Sequence, residues 1–170
     1  MIPGQDIIRV AGIQKESIVD GPGIRYVVFA QGCPHRCKGC QNGETHDFSA
    51  GYDLPIEKIA EDTLKNPMLS GVTFSGGEPF SQPVGFYRLA LLLAGRGLDI
   101  IAFSGYTYEE LLVLAESDPS VRDLLGAVDF LVDGRFELEN RDLTLDFKGS
   151  SNQRFIDMER TRAEGRVVVV

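Results

Sequence analysis

All three cysteines of the chain lie within eight consecutive positions, in the stretch GCPHRCKGC at 32–40. Cys33, Cys37 and Cys40 have the spacing C-x3-C-x2-C and follow an apolar run. Cysteines this close together on a loop are placed to bring their thiolates to one soft-metal centre rather than to pair across a fold. The spacing therefore predicts a metal site on this loop.

More than one kind of metal site is compatible with three cysteines. Three thiolates leave one iron of a four-iron cluster without a protein ligand, whereas electron-carrier clusters usually take four cysteines. A structural zinc site made of the cysteines and His35 or His46 is an alternative, although such sites usually show paired C-x2-C halves and a longer spacer. A disulfide framework is disfavoured because the cysteine count is odd.

The overall composition is that of an ordinary globular protein and predicts a single domain over 1–170. The chain is 43% hydrophobic and 25% charged. A formal charge of −8 argues against nucleic acid as a partner, because phosphate binding needs a basic face. No apolar run approaches the roughly 20 residues of a membrane span, and the first ten residues lack the layout of a signal peptide. We therefore expect a cytoplasmic protein.

Strand-like and helix-like segments alternate along the chain. Four apolar runs, preceded by a short strand at 7–13, predict strands at 24–30, 71–75, 98–103 and 128–132. Alternating strands and helices imply right-handed βαβ units and a parallel sheet. A complete eight-unit barrel needs about 250 residues. The sequence therefore predicts an α/β fold with a partial, open (βα) barrel.

Helices are predicted between these strands. The first begins near Pro55, the second near Ser81, and the third at a Thr107–Glu110 capping box, with a brief helix after Asp118. The apolar face of the first helix is predicted to consist of Ile56, Ile59, Ala60 and Leu64. Residues 148–154 are predicted to form a polar loop, and 167–170 a last strand or a tail.

A second motif, GGEP at 76–79, follows the second core strand. Taken alone it is typical of a strand-to-helix turn, where Gly and Pro are common and Glu suits the first helical turn. Paired glycines also let a ligand approach the backbone closely, and a carboxylate can bind an ammonium group. Both this motif and the cysteine loop follow core strands, where α/β folds place their sites.

Together, the C-x3-C-x2-C loop after the first core strand and GGEP after the second resemble the radical S-adenosylmethionine family. The resemblance implies a barrel of the radical S-adenosylmethionine type. It implies that Cys33, Cys37 and Cys40 hold a [4Fe-4S] cluster whose open iron binds the amino and carboxylate groups of S-adenosyl-L-methionine. The residues that it implies for binding this cofactor are Gly76, Gly77, Glu78 and Pro79.

Further stretches resemble activating enzymes that install a glycyl radical in a partner protein, specifically those serving anaerobic (class III) ribonucleotide reductase. They are DGPGIR at 20–25, QGC at 31–33, FSGYT at 103–107, VDGRF at 132–136 and GSSNQR at 149–154. The residues themselves assign no chemical role to the last three stretches. Many relatives carry an aromatic residue immediately before the third cysteine, where this chain has Gly39.

The resemblance implies that an electron from the reduced cluster cleaves S-adenosylmethionine, and that the 5'-deoxyadenosyl radical takes a hydrogen atom from a glycine of the reductase large subunit. The electron would come from another protein, such as a flavodoxin, and no side chain would act as a catalytic acid or base. The alternatives are an activase of another glycyl radical enzyme, a small-molecule radical enzyme such as a deazaguanine synthase, and a zinc-stabilised binding module.

Overall fold

The computed structural model describes residues 6–170, so the first five residues, which enter the signal-peptide and domain predictions, lie outside the described part. Seven strands form one sheet: β1 (Ile7–Ser17), β2 (Arg25–Ala30), β3 (Tyr52–Pro55), β4 (Gly71–Gly76), β5 (Asp99–Phe103), β6 (Phe130–Asp133) and β7 (Arg154–Asp157). The α-helices are α1 (Ile56–Leu64), α2 (Pro83–Leu93), α3 (Tyr108–Ser117), α4 (Pro119–Ala127) and α5 (Met158–Glu164).

The strands are arranged in the order β3-β1-β2-β4-β5-β6-β7. The central four, β2, β4, β5 and β6, are parallel to one another, as the alternation of strands and helices predicted. The sheet as a whole is mixed, because β1 runs antiparallel to β2 and β3, and β7 runs antiparallel to β6. The fold is therefore α/β with a parallel centre and antiparallel edges.

The two faces of the sheet carry different cores. One face packs against the helices in the main apolar core, where Val28, Phe74 and Leu131 are fully buried. The other face carries a smaller cluster around Ile101 and Val132. Burying one such side chain contributes roughly 1.5–3 kcal/mol. The central strands are therefore largely buried on both faces, which explains why their sequences are rich in apolar residues.

Two helix predictions had different outcomes. The capping box of α3 is confirmed, since Glu110 N donates to Thr107 Oγ1 at 3.1 Å and Thr107 N donates to Glu110 Oε2 at 2.8 Å. The assignment of Leu64 to the apolar face of α1 is wrong, because this side chain is exposed. Thr63 takes the buried position, since it lies about two turns after Ile56 and its hydroxyl donates to Ile59 O at 2.8 Å.

The carboxyl-terminal residues lie along the outer edge of β7. Asp157 N donates to Val168 O at 2.9 Å, and Val170 N donates to Phe155 O at 2.8 Å. Ile156 and Val169 form an antiparallel bridge. Residues 167–170 are thus neither a further strand of the sheet nor an unpaired tail, because they pair with β7 through one isolated bridge. Within residues 6–170, the helices are too short or too polar to cross a membrane.

A buried arginine ties three parallel strands together at their amino ends. Arg25 of β2 has no solvent exposure. Its Nε donates to Thr73 Oγ1 at 2.7 Å, and its Nη2 donates to Val72 O at 3.0 Å. The same nitrogen pairs with Asp99 Oδ1 at 2.6 Å, at the start of β5. These contacts satisfy the guanidinium without water and join β2 to β4 and β5.

We expect Arg25→Met to lower the free energy of unfolding by about 2–4 kcal/mol, because several buried acceptors lose their donor at once. The matched control is Arg160→Met, which removes an exposed ion pair with Glu164 and is expected to cost less than about 0.5 kcal/mol. Chemical denaturation of both variants measures the difference. Equal losses in the two variants would contradict this role for Arg25.

Candidate metal and cofactor site

A cavity of about 340 Å3 lies beyond the carboxyl ends of the four parallel strands. Cys33, Cys37 and Cys40 lie on its wall, and so do Gly76 and Gly77 at the end of β4. The loop after β5 and the segment after β6 complete the wall. The structure thus brings five of the seven residues singled out from the sequence to one cavity.

The cysteine loop is held in place by a returning segment of the chain. Gly32 N donates to Thr45 O at 2.7 Å, and Cys33 N donates to His46 O at 3.2 Å. The side chain of the buried Gln31 donates to Glu44 O at 3.1 Å and to Asp47 O at 2.7 Å. These hydrogen bonds therefore fix the backbone at the start of the cysteine loop, directly after β2.

The three thiols are free and differ in exposure. Cys33 is buried, whereas Cys37 and Cys40 are partly exposed. Burial raises the pKa of the Cys33 thiol; backbone amides of His35 and Arg36 lower it, and the nearby Glu78 carboxylate raises it. Burial also raises the pKa of the Cys40 thiol. Backbone amides directed at a sulfur are the donors that stabilise it when it becomes negatively charged on binding a metal.

The donor set fits an iron-sulfur cluster better than a single zinc ion. Within residues 6–170, no three Cys, His, Asp or Glu side chains are gathered closely enough for one metal ion. His35, one of the histidines considered for a zinc site, has its Nε2 2.8 Å from Glu78 Oε2. A four-iron cluster is larger than an ion and holds its thiolates further apart, so three sulfurs spread over one cavity wall suit it.

The paired glycines after β4 have a structural reason that the sequence did not show. A Cβ on Gly77 would lie 2.3 Å from Gly32 O, and one on Gly76 would lie 2.6 Å from Ala30 N. Gly77 N donates to Ala30 O at 2.8 Å, and Glu78 N donates to Gly32 O at 2.8 Å. The missing side chains therefore let the end of β4 pack on the backbone that leads into Cys33.

Glu78 and Pro79 lie behind the cavity wall rather than on it. Both are buried, and Glu78 has no solvent exposure. Glu78 Oε1 accepts from Phe80 N at 3.0 Å and so caps the short 3-10 helix Pro79–Ser81. Its other oxygen, Oε2, accepts from Gly105 N at 2.9 Å. The carboxylate thus joins the end of β4 to the loop after β5.

Residues 134–153, here called the strap, form a further wall of the cavity. Gln153 holds it closed, because its Oε1 accepts from Gly149 N at 2.9 Å and its Nε2 donates to Gly134 O at 2.9 Å. Asn152 Nδ2 donates to Arg135 O at 2.8 Å. These contacts give the VDGRF and GSSNQR stretches a common role, which is to tie the two ends of the strap to each other.

The strap contributes cavity residues that sequence reasoning missed, namely Phe136, Leu145, Phe147 and Lys148. The resemblance of the VDGRF and GSSNQR stretches to activating enzymes pointed to this part of the chain, but it did not predict that these side chains line a cavity. Gly39, which stands where many relatives have an aromatic residue, has φ +76°. A Cβ there would lie 3.0 Å from Leu138 Cδ1 of the strap. Glycine at this position therefore follows from a left-handed turn packed against the strap.

Comparisons with known proteins agree with an iron-sulfur site. Residues 19–156 match the family described as 4Fe-4S single cluster domain. The chain is 38% identical, over 80% of its length and 89% of the relative's, to the anaerobic ribonucleoside-triphosphate reductase-activating protein of Vibrio cholerae. For the protein of the same name from Escherichia coli the identity is 33%, over 80% of this chain and 90% of the relative. The pyruvate formate-lyase-activating enzyme of Clostridium pasteurianum is 39% identical over 61% of this chain and 48% of that enzyme.

We expect Gln153→Ala to loosen the strap, because the amides of Gly149 and Ser150 lose their acceptor. Hydrogen exchange at these two amides should become about 10-fold faster, which corresponds to one lost hydrogen bond. Gln14→Ala, which removes an exposed side chain bonded to Glu16 O, is the matched control and should leave both amides unchanged. Unchanged exchange in the Gln153 variant would show that another contact holds the strap.

Proposed function

The chain belongs to the radical S-adenosylmethionine family of activating enzymes for glycyl radical enzymes, and on this premise we propose that it activates an anaerobic ribonucleotide reductase. In this proposal Cys33, Cys37 and Cys40 hold a [4Fe-4S] cluster, and S-adenosyl-L-methionine binds its open iron. The partner is the large subunit of the reductase, which receives the glycyl radical. An electron-donor protein such as a flavodoxin reduces the cluster in the cytoplasm.

The observation that carries this proposal is that the three free thiols and the glycine pair at the end of β4 line the same cavity. Three thiolates leave a four-iron cluster with one coordination position for another ligand. Held by Cys33, Cys37 and Cys40, the cluster would supply the electron for reductive cleavage of S-adenosylmethionine, and so the radical chemistry by which the partner's glycine loses a hydrogen atom. The protein contributes placement of these groups and exclusion of water.

The residues around the cavity have distinct tasks in this scheme. The backbone at Gly76 and Gly77 borders the cavity beside the cysteine loop, so it is the part of the GGEP motif that a bound cofactor meets. Phe136 and Phe147 of the strap provide apolar wall, and Lys148 provides a cation. No acid or base is needed for hydrogen-atom transfer, so the scheme gives no side chain of the cavity that task.

The open sheet provides the opening through which the partner reaches the cavity. β3 and β7 lie at opposite edges of the sheet and do not pair with each other. We propose that this open sheet is a partial barrel of the radical S-adenosylmethionine type. A glycine to be activated lies on a large protein, and a lateral gap admits a loop that a closed barrel would exclude. The strap borders this cavity and is proposed to contact the partner.

A second candidate is activation of another glycyl radical enzyme. The relative from Clostridium pasteurianum, named for pyruvate formate-lyase, is 39% identical over 113 residues. The chain spans about half of that enzyme's length, whereas it covers about nine tenths of the relatives named for the reductase. The reductase is therefore the favoured partner.

The test is anaerobic reconstitution with iron and sulfide, followed by reduction, addition of S-adenosylmethionine and mixing with each candidate partner. We expect about four irons per chain and a glycyl doublet in the electron paramagnetic resonance spectrum of the reductase. Cys33→Ala, Cys37→Ala and Cys40→Ala should each lose most of the iron and give no radical. Lys38→Gln, an exposed change in the same loop, should retain both properties.

Two outcomes would contradict the proposal. A doublet on pyruvate formate-lyase alone would transfer the activity to the second candidate. A protein that binds zinc without iron, or binds iron without cleaving S-adenosylmethionine, would overturn the radical chemistry altogether.

A further inference from the structure

We propose that His35 is a positioning residue for the cysteine loop and that the Glu78 carboxylate anchors this histidine instead of binding the cofactor's ammonium group. The inference rests on the proposed function and refines it, because it separates two tasks within the GGEP motif. Gly76 and Gly77 border the cavity, whereas Glu78 lies behind the cavity wall and holds His35 in place. His35 thereby links the loop that carries the cluster ligands to the ends of β4 and β5.

The first argument is the occupancy of the Glu78 carboxylate. A carboxylate offers about four lone-pair sites. Four protein groups donate to this one: Phe80 N, Ser104 Oγ, Gly105 N and His35 Nε2, at distances of 2.8–3.0 Å. Glu78 has no solvent exposure. An ammonium group would reach it only by displacing one of these donors.

The second argument is the fit of the His35 ring. Its side chain is only 4% exposed, so the imidazole is shielded from solvent. The ring lies against Gly105, where a Cβ would be 2.2 Å from His35 Cδ2. Tyr106 packs edge-on against it, with ring centroids 4.4 Å apart. The Nε2 atom of the ring lies 2.8 Å from Glu78 Oε2, within hydrogen-bond distance.

The third argument is the position of His35 in the loop. It lies midway between Cys33 and Cys37, so that fixing its ring fixes the path of the backbone between two thiols. Arg36, the next residue, has φ +51°, a left-handed conformation that is uncommon for a residue with a side chain. Such a conformation persists where the surroundings determine it, and here the buried histidine is the adjoining anchor.

The FSGYT stretch acquires a physical role from the same network. Ser104 and Gly105 donate to Glu78, the missing side chain of Gly105 makes room for the imidazole, and Tyr106 closes over it. Thr107 then caps α3. Three stretches that are far apart in the sequence therefore meet at one buried histidine.

The first experiment compares His35→Ala, His35→Gln, Glu78→Gln and the control Lys38→Gln. The reconstituted proteins are challenged with an iron chelator, and the concentration that removes half of the iron is measured. We expect this concentration to fall about 10-fold in His35→Ala and in Glu78→Gln, as is typical when a group that orients metal ligands is lost. His35→Gln, whose amide also donates a hydrogen bond, should recover part of the loss. Iron retention equal to that of Lys38→Gln in all variants would overturn the proposal.

The second experiment distinguishes an anchor from a cofactor ligand. S-adenosylmethionine is titrated into the reduced proteins, and the change in the cluster's electron paramagnetic resonance spectrum is recorded. This change, normalised to the amount of cluster in each protein, gives the dissociation constant of S-adenosylmethionine. We expect this constant to change less than about twofold in Glu78→Gln and in His35→Gln. A 10-fold weakening in Glu78→Gln without one in His35→Gln would assign the carboxylate to the cofactor and overturn the inference.

A third measurement does not depend on the cluster. The melting temperatures of the metal-free wild type, His35→Ala, Glu78→Gln and the double variant form a double-mutant cycle. We expect the melting temperature of the double variant to lie close to that of the less stable single variant, because both changes break the same pair. Additive losses would overturn the pairing, whereas a failure of the wild type to bind iron would overturn the proposed function and leave this result standing.

Discussion

The close approach of β4 to β2 at their carboxyl ends is the constraint on which the site depends. The two strands are in parallel register from Arg25 and Gly71 to Ala30 and Gly76. Beyond that point the backbone at Gly77 still packs on Gly32, closer than any side chain would allow. The cysteine loop and the GGEP turn therefore leave the sheet side by side. Pairing of strands thus sets the spacing between the cysteine loop and the GGEP turn.

Much of this arrangement followed from the sequence, because the central strands are largely buried and rich in apolar residues, and functional sites in α/β folds lie at the carboxyl ends of such strands. The four parallel strands, the cap of α3 and the meeting of the cysteines with Gly76 and Gly77 belong to this group. The edge strands β3 and β7 did not follow, since each has only four residues and carries polar side chains. Such strands are specified by their neighbours rather than by their own pattern.

Side-chain partners were the other part that the sequence could not provide. The motif predicts a role for Glu78 but not the partners of its carboxylate, which accepts hydrogen bonds from Ser104 and Gly105, 26 and 27 positions further along. His35 was considered as a zinc ligand, yet its side chain is buried against Tyr106 and lies beside Glu78. Contacts of this kind depend on how loops from different strands pack, and no local periodicity records them.

The pairing of the carboxyl-terminal residues along β7 limits how another protein can approach. An open sheet edge invites an incoming segment to add itself as one more strand, recognised through its backbone whatever its side chains are. Here Val168 and Val170 already engage β7 at Asp157 and Phe155. The hydrogen bonds of Val168 and Val170 already occupy these backbone groups of β7, so this stretch of the edge is not available for strand addition.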